Sequence, residues 1–320
     1  MFRAAIAAFF FITGAAFAGE PITVTSQYGP GKPQTLLWER FSELVEAERP
    51  GAFDITIVTG GALGGEKEEA EAMRLGAIEG ALSTVAALTT WVPLGAVLDL
   101  PFLFEDAAHI ERALSGPLGQ TLRKAYRDEG FVVPAFIIFG ARHVIGSAPL
   151  KTPADMDGIT MRVLQSDLHV ALWRSLNVEP TALPITEAYG ALANGVVSAM
   201  DMTKSGYEAL KLYEVAPIMS ETAHIWAIGV VYFDAAFWDT LSAEDADLFG
   251  HAAREAAAHF NELAAAEQAA ALARTLEAGA TLVRVDQTPW RDAVKGFAGG
   301  FTSDLGPAAK VALDAIDSAR

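Results

Sequence analysis

The hydrophobic and polar positions of this chain follow the period of a strand and the period of a helix in turn. Apolar runs or apolar and polar alternation predict strands over residues 22–26, 53–58, 77–85, 132–139 and 159–163, near Val178, and over residues 196–201. Helices are predicted to begin at Pro33, at Glu66 and after Ser166, and to cover residues 186–194 before Gly195. Strands that alternate with helices favour an α/β fold, with helices packed on mostly parallel sheets.

A longer helix is predicted near the end of the chain. Ser242 and the acidic residues behind it resemble a capping box, and strong helix formers continue to about Ala278, before Gly279. About 36 residues at ~1.5 Å each give a helix of roughly 54 Å. A lobe of about 150 residues is only roughly 38 Å across. We therefore expect this helix to cross two lobes, which are joined by strands that pass between them more than once.

The first 18 residues have a separate pattern. Arg3 precedes an apolar run over residues 4–12, and the segment finishes with Ala16 and Ala18 on either side of Phe17. A charged start, a short apolar stretch and a small-x-small ending are typical of a secretory signal peptide. The run is shorter than the ~20 residues that span a bilayer. We predict cleavage after Ala18 and export, with a membrane anchor or a buried N-terminal helix as the alternative.

Length and composition exclude several classes of function. The 320 residues, enough for about two domains, include 23 Lys+Arg, 40 Asp+Glu and no cysteine, for a formal net charge of −17. Removal of Arg3 with the leader makes the net charge one unit more negative. The absence of cysteine excludes disulfides, thiolate nucleophiles, iron–sulfur clusters and Cys-ligated zinc. An acidic chain without a basic cluster is not expected to bind nucleic acid.

The sequence contains no distinctive pattern of catalysis. The glycine-rich corner at residues 60–65 lacks the ending of a P-loop and the spacing of a dinucleotide fingerprint, and Glu66 behind it would repel a phosphate. Neither a G-x-S-x-G elbow nor an H-E-x-x-H motif occurs. The acidic pair Glu68 and Glu69 has the pattern of a solvated helix face. We therefore expect no enzyme, no cofactor and no metal site.

Two arginines are informative because of their apolar surroundings. Arg162 lies between Met161 and Val163 in a predicted strand, and Arg142 follows the apolar strand that ends at residue 139. A buried guanidinium is costly unless a carboxylate or a phosphate meets its donors. Each arginine is expected either to form a structural ion pair or to reach an anion in a cleft, and the pattern alone leaves both open.

Eight short motifs follow one another along the chain. They are GGALGGE at residues 60–66, LDLPFLF at 98–104, GPLG at 116–119, TPADMDG at 152–158, MRV at 161–163, EAYGAL at 187–192, GVV at 195–197 and YEV at 213–215. Each motif is weak alone. Their order and spacing, over about residues 22–300, closely resemble the solute-binding proteins of TRAP (tripartite ATP-independent periplasmic) transporters.

The resemblance implies an α/β fold of the two-lobe periplasmic binding protein kind (type II-like, Venus flytrap), with a long helix spanning both lobes. After the signal peptide at residues 1–18, we expect lobe I to comprise residues 19–139 and about 228–267. Lobe II is expected to comprise residues 140–227 and about 268–320. Such a receptor closes on a small organic acid in the periplasm and delivers it to the permease subunits in the membrane.

The resemblance also implies roles for particular residues. Arg162, in the MRV motif, is expected to form a two-pronged salt bridge with a ligand carboxylate, and Arg142 to add a second cationic contact. Glu66 is expected to reach polar groups of the ligand, and His224 matches a cleft position used by some members. Some relatives bind calcium or sodium with their ligand, which leaves Asp201 open as an ion ligand.

Two departures from the family pattern bear on the ligand. Met202 stands where the family usually has an asparagine that helps to bind the carboxylate, and Ile185 stands where an aromatic residue often packs over the ligand. Met202 cannot donate a hydrogen bond. With Trp226 and Trp91, these residues predict a less polar wall. They favour a small monocarboxylate with an apolar or amino-bearing body over a dicarboxylate or a sugar acid.

Two other classes of protein remain as alternatives. The first is an ABC-type or tricarboxylate-type receptor on a similar scaffold, against which the long helix and the LPFLF segment at residues 100–104 speak. The second is an exported α/β hydrolase, which would need a nucleophile and a base that no motif supplies.

Overall fold

The computed structural model of the protein describes residues 19–320. Its strands are β1 (Glu20–Thr25), β2 (Phe53–Val58), β3 (Gly80–Thr84), β4 (Phe131–Gly146), β5 (Thr160–Val163), β6 (Glu179–Ala182), β7 (Ala199–Thr203), β8 (Ile218–Asp234) and β9 (Thr281–Arg284). Its helices are α1 (Pro33–Glu48), α2 (Glu66–Arg74), α3 (Ala107–Ser115), α4 (Pro117–Asp128), α5 (Asp167–Ser175), α6 (Ile185–Ala193), α7 (Lys204–Ala209), α8 (Ala235–Thr240), α9 (Ala243–Glu277), α10 (Thr288–Ala293), α11 (Phe297–Asp304) and α12 (Pro307–Ser318). Short 3-10 turns cover Val85–Leu88, Pro93–Asp99, Pro153–Met156 and Leu212–Glu214.

Two long antiparallel strands, β4 and β8, hold the sheet together. They have 16 and 17 residues, and the strand order is β2-β1-β3-β8-β4-β7-β5-β6, with β9 beside β8. The later part of β8 pairs with β3, and the later part of β4 pairs with β7. β1, β2 and β3 therefore build a first lobe at one end of the long pair, and β5, β6, β7 and β9 build a second lobe at the other. The short strands β1, β2 and β3 have parallel partners within the first lobe, as β5, β6 and β7 do within the second.

Apolar side chains fill both faces of the sheet. In the first lobe, Trp38 and Phe41 of α1 pack against Phe233 of β8 and Phe249 of α9. The ring centroids of Phe41 and Phe249 are 5.2 Å apart. Because all four aromatic rings are fully buried, this face of the first lobe is a dense core that fixes α1 and α9 against the sheet.

The long helix α9 begins and ends within a residue of its predicted bounds. The Ser242 hydroxyl accepts a hydrogen bond from the Asp245 amide at 3.1 Å, so the predicted cap is formed. The 35 residues of α9, at ~1.5 Å each, extend about 52 Å. Phe249 and Phe260 pack in the first lobe, and Leu272 packs against a cluster of the second lobe. The prediction of one helix that spans both lobes is confirmed.

The strands that connect the lobes are longer than predicted. The strand expected to end at residue 139 continues to Gly146, and neither β8 nor β9 was predicted. β8 carries the polar run Ser220, Glu221 and Thr222 near its start, and Ala223 has a φ of 44°. This irregularity breaks the period of two, which is why the strand has no clear signature in the sequence.

The end of the chain packs differently from the expected division of the lobes. Trp290 of α10 packs with Trp173 in a second-lobe cluster. Ala309, Ala312 and Ile316 of α12, however, belong to the buried cluster of the first lobe. The expected assignment of all of about 268–320 to lobe II therefore does not match this packing, and we propose that residues 297–320 belong to lobe I.

The predicted signal peptide at residues 1–18 lies outside the described residues. Among residues 19–320, no helix has the length and apolar character needed to cross a membrane.

Candidate ligand-binding site

A cavity lies between the two lobes, at the ends of strands from both. The carboxyl ends of parallel strands are the usual place for a ligand in an open α/β sheet, and β1, β3, β5 and β7 all bring residues here. The lining residues are Gln27, Tyr28, Glu66, Leu82, Thr84, Phe139, Arg142, Arg162, Leu164, Ile185, Met202, Thr203 and Ala227.

Arg162 of β5 enters this cavity without an acidic partner. Its side chain is 4% exposed, and its Nε donates to the Leu183 carbonyl at 2.9 Å. No ion pair joins it to another residue within 19–320. Burial, together with the nearby charge of Arg142, lowers the pKa of Arg162 to about 10. A buried cation without a counter-ion is unfavourable, and this guanidinium has donors left that can pair with an anion.

Arg142 of β4 has a partner of its own. Its Nε donates to Asp201 Oδ2 at 2.8 Å, and its Nη2 donates to Oδ1 at 2.9 Å and to the Asp201 carbonyl at 2.8 Å. Burial opposes ionisation of Asp201, but Arg142 outweighs it and holds the pKa of Asp201 well below its usual range. The sequence left two roles open for each arginine, a structural ion pair or contact with an anion in a cleft. In the structure, Arg142 forms a structural ion pair and Arg162 does not.

Glu66 provides an acceptor on the opposite wall of the cavity. Its Oε1 accepts from the Thr84 amide at 2.6 Å, and its Oε2 accepts from the Thr84 hydroxyl at 3.0 Å. Loss of water around the carboxylate raises the pKa of Glu66, although the bonds from Thr84 oppose this. The carboxylate is therefore held in one orientation, ready to accept a hydrogen bond from a hydroxyl group.

Met202 and Ile185 also line the cavity, as expected. Met202 is 5% exposed, and its methyl group lies against Gly206, where a Cβ would come within 2.0 Å of it. With Leu164, these side chains make one part of the cavity wall apolar.

Four of the predicted site residues do not line the cavity. Asp201 and His224 lie behind Arg142, where His224 Nε2 is 3.2 Å from Asp201 Oδ2. Trp226 instead lines a groove on the other side of β4 and β8, because the next residue, Ala227, faces the cavity and successive side chains of a strand alternate between faces. Trp91 packs on Phe131, with centroids 5.8 Å apart. The expected contributions of Trp226 and Trp91 to the cavity wall are therefore wrong.

The predicted solvated pair on α2 is also corrected in part. Glu68 is exposed, whereas Glu69 is only 1% exposed, and its Oε2 has no hydrogen-bond partner among the described residues. Burial raises the pKa of Glu69 to about 7. The difference arises because Ala70 and Met73 on the same side of α2 face the core.

Four polar residues of the cavity were missed in the sequence. Gln27 and Tyr28 lie two and three residues after the end of β1, Thr84 ends β3, and Thr203 ends β7. Their shared signal is a polar residue at the carboxyl end of a parallel strand. That signal was present, since β1 and β7 were predicted as strands.

The described residues do not form a metal centre. No group of three or more histidine, aspartate or glutamate residues within 19–320 is placed to hold a metal ion. Asp201, which the sequence left open as an ion ligand, has both carboxylate oxygens bonded to Arg142.

Known proteins resemble this chain over most of its length. The family model of the bacterial extracellular solute-binding proteins, family 7, matches residues 24–299. The 2,3-diketo-L-gulonate-binding periplasmic protein of Escherichia coli (strain K12) is 28% identical over 292 residues, which are 89% of each chain. A C4-dicarboxylate-binding periplasmic protein of Rhodobacter capsulatus is 28% identical over 283 residues, which are 85% of this chain and 84% of that protein.

Solved structures agree with the same assignment. A TRAP periplasmic solute-binding protein from Bradyrhizobium sp. BTAi1, in complex with galacturonate, has a TM-score of 0.88 at 30% identity and covers 92% of this chain and 100% of its own. One from Shewanella oneidensis, with bound succinate, has a TM-score of 0.90 at 25% identity, with 94% and 99% covered.

These comparisons do not support the predicted ligand. The two solved relatives named above hold galacturonate and succinate, and neither acid is a small monocarboxylate with an apolar or amino-bearing body. They also leave no support for an ABC-type or tricarboxylate-type receptor or for a hydrolase, since the matched proteins are receptors of the TRAP type. The chain therefore belongs to family 7 of the bacterial extracellular solute-binding proteins, the receptors of TRAP transporters, and is not an enzyme.

Proposed function

We propose that this protein is the periplasmic receptor of a TRAP transporter that captures a sugar acid through a salt bridge between Arg162 and the ligand carboxylate. The observation that carries the proposal is Arg162 itself. It is a buried guanidinium at a cavity, with its Nε fixed by Leu183 and with no acidic partner among residues 19–320. A carboxylate that meets its remaining donors would form two parallel charge-assisted hydrogen bonds.

The rest of the cavity favours a hydroxylated acid. Gln27, Tyr28, Thr84 and Thr203 offer donors and acceptors around the space, and Glu66 offers an ionisable acceptor. A second carboxylate near Glu66 would face a like charge, whereas a hydroxyl group would donate to it. The apolar wall described above suits the C–H face of a sugar ring. A sugar acid, such as the galacturonate held by a relative, therefore fits better than a dicarboxylate.

Capture is coupled to contacts between the lobes. Lys32 Nζ of the first lobe lies 2.6 Å from Glu208 Oε2 of the second, and His169 Nε2 of α5 lies 3.2 Å from Asp99 Oδ2. Leu168, next to His169, belongs to the buried cluster of the first lobe. We infer that an open cleft admits the acid and that closure removes water and strengthens its pairing with Arg162. The membrane permease then recognises the closed conformation of the receptor and receives the acid.

The location follows from the leader and the relatives. Matched proteins are named as periplasmic, and residues 1–18 have the pattern of a signal peptide. We propose export to the periplasm with cleavage after Ala18, which mass spectrometry of the intact exported protein would test.

A panel of ligands tests the proposal. Thermal-shift and calorimetric titrations would compare D-galacturonate, D-glucuronate and succinate with neutral D-galactose, which lacks the carboxylate. We expect the uronates to stabilise the protein and galactose to have no effect. Stabilisation by galactose equal to that by galacturonate would exclude the carboxylate anchor, and a response to succinate alone would exclude a sugar acid. Native mass spectrometry of the purified protein would identify any acid that it retains.

A further inference from the structure

The glycine-rich corner at residues 60–65 lies outside the lining of the cavity. It joins β2 to α2 in the first lobe and is held there by bonds to the segment after β1. The Gly60 amide donates to the Tyr28 carbonyl at 3.1 Å, and the Gly61 amide donates to the Ser26 carbonyl at 3.2 Å. Gln27 Nε2 donates to the Gly64 carbonyl at 3.1 Å. The corner is therefore a fixed part of the first lobe.

The second lobe touches the backbone of this corner directly. A Cβ added at Gly65 would lie 2.7 Å from the Cβ of Pro184, and one added at Gly61 would lie 2.8 Å from Cγ2 of Thr186. Carbon atoms of unbonded side chains do not approach so closely. Pro184 and Thr186 enclose Ile185, which lines the cavity, at the start of α6. The contact thus lies beside the cavity, between a first-lobe corner and a second-lobe loop.

A position can require glycine because its φ is positive or because a Cβ has no space, and the conformation of Gly65 shows which reason applies. Gly61 has a φ of 65°, which alone favours glycine at that position. Gly65 has a φ of −81° and a ψ of 179°, which any residue adopts without strain. The other close neighbour of a Cβ at Gly65 is Glu68 Oε2, also at 2.7 Å, but Glu68 is exposed and its carboxylate can turn away. The contact that excludes a side chain at residue 65 is therefore the one with Pro184.

We propose that the glycine corner is the seat on which the second lobe closes: Gly65 leaves room for Pro184 and so allows the lobes to meet beside the ligand cavity. This inference rests on the proposed function in one respect, namely that the lobes open and close around a ligand. Residues 60–65 then serve the contact between the lobes and do not bind a phosphate.

One substitution tests the seat without disturbing the first lobe. Gly65→Ala adds a single methyl group that the first lobe accommodates but the closed arrangement does not. Gly190→Ala is the matched control, because a Cβ at Gly190, on α6 of the second lobe, meets no atom within 4 Å.

The chain has no cysteine, so spin labels can be attached at Glu43→Cys in the first lobe and Lys151→Cys in the second. Electron paramagnetic resonance then gives the distance between the lobes.

The distances and affinities distinguish the outcomes. The distance between the two labels is measured with and without D-galacturonate. We expect Gly65→Ala to lose the population with a short distance between the lobes, which wild type and Gly190→Ala show. We also expect Gly65→Ala to bind galacturonate about tenfold or more weakly than wild type. Its thermal unfolding without ligand should match that of wild type within the difference seen for Gly190→Ala. A short-distance population equal to that of wild type would overturn the seat. The Arg162→Ala variant reports separately on the proposed function, since it should lose the response to galacturonate while the corner stays intact.

Discussion

Arg142 and Asp201 form a fully buried, two-pronged ion pair, with Nε to Oδ2 at 2.8 Å and Nη2 to Oδ1 at 2.9 Å. Arg162, whose pKa is affected by the charge of Arg142, has no such partner within residues 19–320. The two arginines therefore contribute differently. Asp201 neutralises Arg142, whereas Arg162 has no such pair, and we propose that a ligand carboxylate supplies its counter-ion.

Loss of Asp201 should destabilise the fold strongly. Asp201→Asn leaves the buried charge of Arg142 without a counter-ion, and we expect a decrease in the free energy of unfolding of about 3–5 kcal/mol, measured by urea denaturation at pH 7. The pKa of Asp201 is held well below its usual range in the folded state. The stability that the Asp201 carboxylate contributes is therefore present above its unfolded pKa of about 3.9 and is lost as the pH falls below that value.

An exposed pair provides the control for this variant. Asp128 pairs with Lys124 on the surface of α4, where its side chain is 59% exposed. Asp128→Asn should change the free energy of unfolding by no more than about 1 kcal/mol. Equal effects of Asp128→Asn and Asp201→Asn would contradict the structural role of the buried pair.

Removal of Arg162 should have the opposite effect on the ligand-free protein. Burial lowers the pKa of Arg162 to about 10, so its charged form destabilises the fold at every pH below that value, by up to about 3 kcal/mol. Loss of the bond from Nε to Leu183 offsets about 1 kcal/mol. We expect Arg162→Met to raise the free energy of unfolding by about 1–2 kcal/mol, measured without ligand. A marked decrease would show that Arg162 serves the fold instead of the ligand.

Glu69 should make stability depend on pH. Its pKa is raised from 4.5 to about 7 by burial, so between these values the folded protein keeps a proton that the unfolded chain releases. Stability should then fall as the pH rises from about 4.5 to 7, by up to about 3 kcal/mol. We expect Glu69→Gln to remove this loss, so that it is more stable than wild type at pH 8 but not at pH 4.5.

The neighbouring Glu68 gives the matched control for the pH series. Glu68 is exposed on the same helix and adds only a minor part of the shift of the Glu69 pKa, after burial, so Glu68→Gln should keep most of the pH dependence of wild type. Parallel pH profiles for wild type and Glu69→Gln would rule out a buried, titrating Glu69.

The sequence predicted local structure well where one period dominates. The bounds of β2, the start of α2 and the cap of α9 by Ser242 follow from short-range patterns, and all are present. The length of α9 also predicted two lobes, because a helix longer than one lobe must cross to another. The strand β8 escaped prediction because its irregular segment near Ala223 obscures the period.

The cavity depended on contacts that no local pattern contains. Arg142 and Arg162 have similar apolar surroundings in the sequence, and only the position of Asp201, 59 residues after Arg142, decides which of them is neutralised. Trp226 was assigned to the cavity wall although β8 had not been predicted, so the direction of its side chain was unknown. Glu69 was taken for a surface residue because acidic residues surround it in the sequence.

The most direct test of the account is the affinity of Arg162 variants for D-galacturonate, measured by isothermal titration calorimetry. Arg162→Gln removes the proposed anchor, and Arg174→Gln removes the same charge from an exposed position on α5. We expect Arg162→Gln to bind about 100-fold or more weakly than wild type, and Arg174→Gln to bind within about twofold of it. Equal affinities of wild type and Arg162→Gln would contradict the proposal that Arg162 anchors the ligand carboxylate.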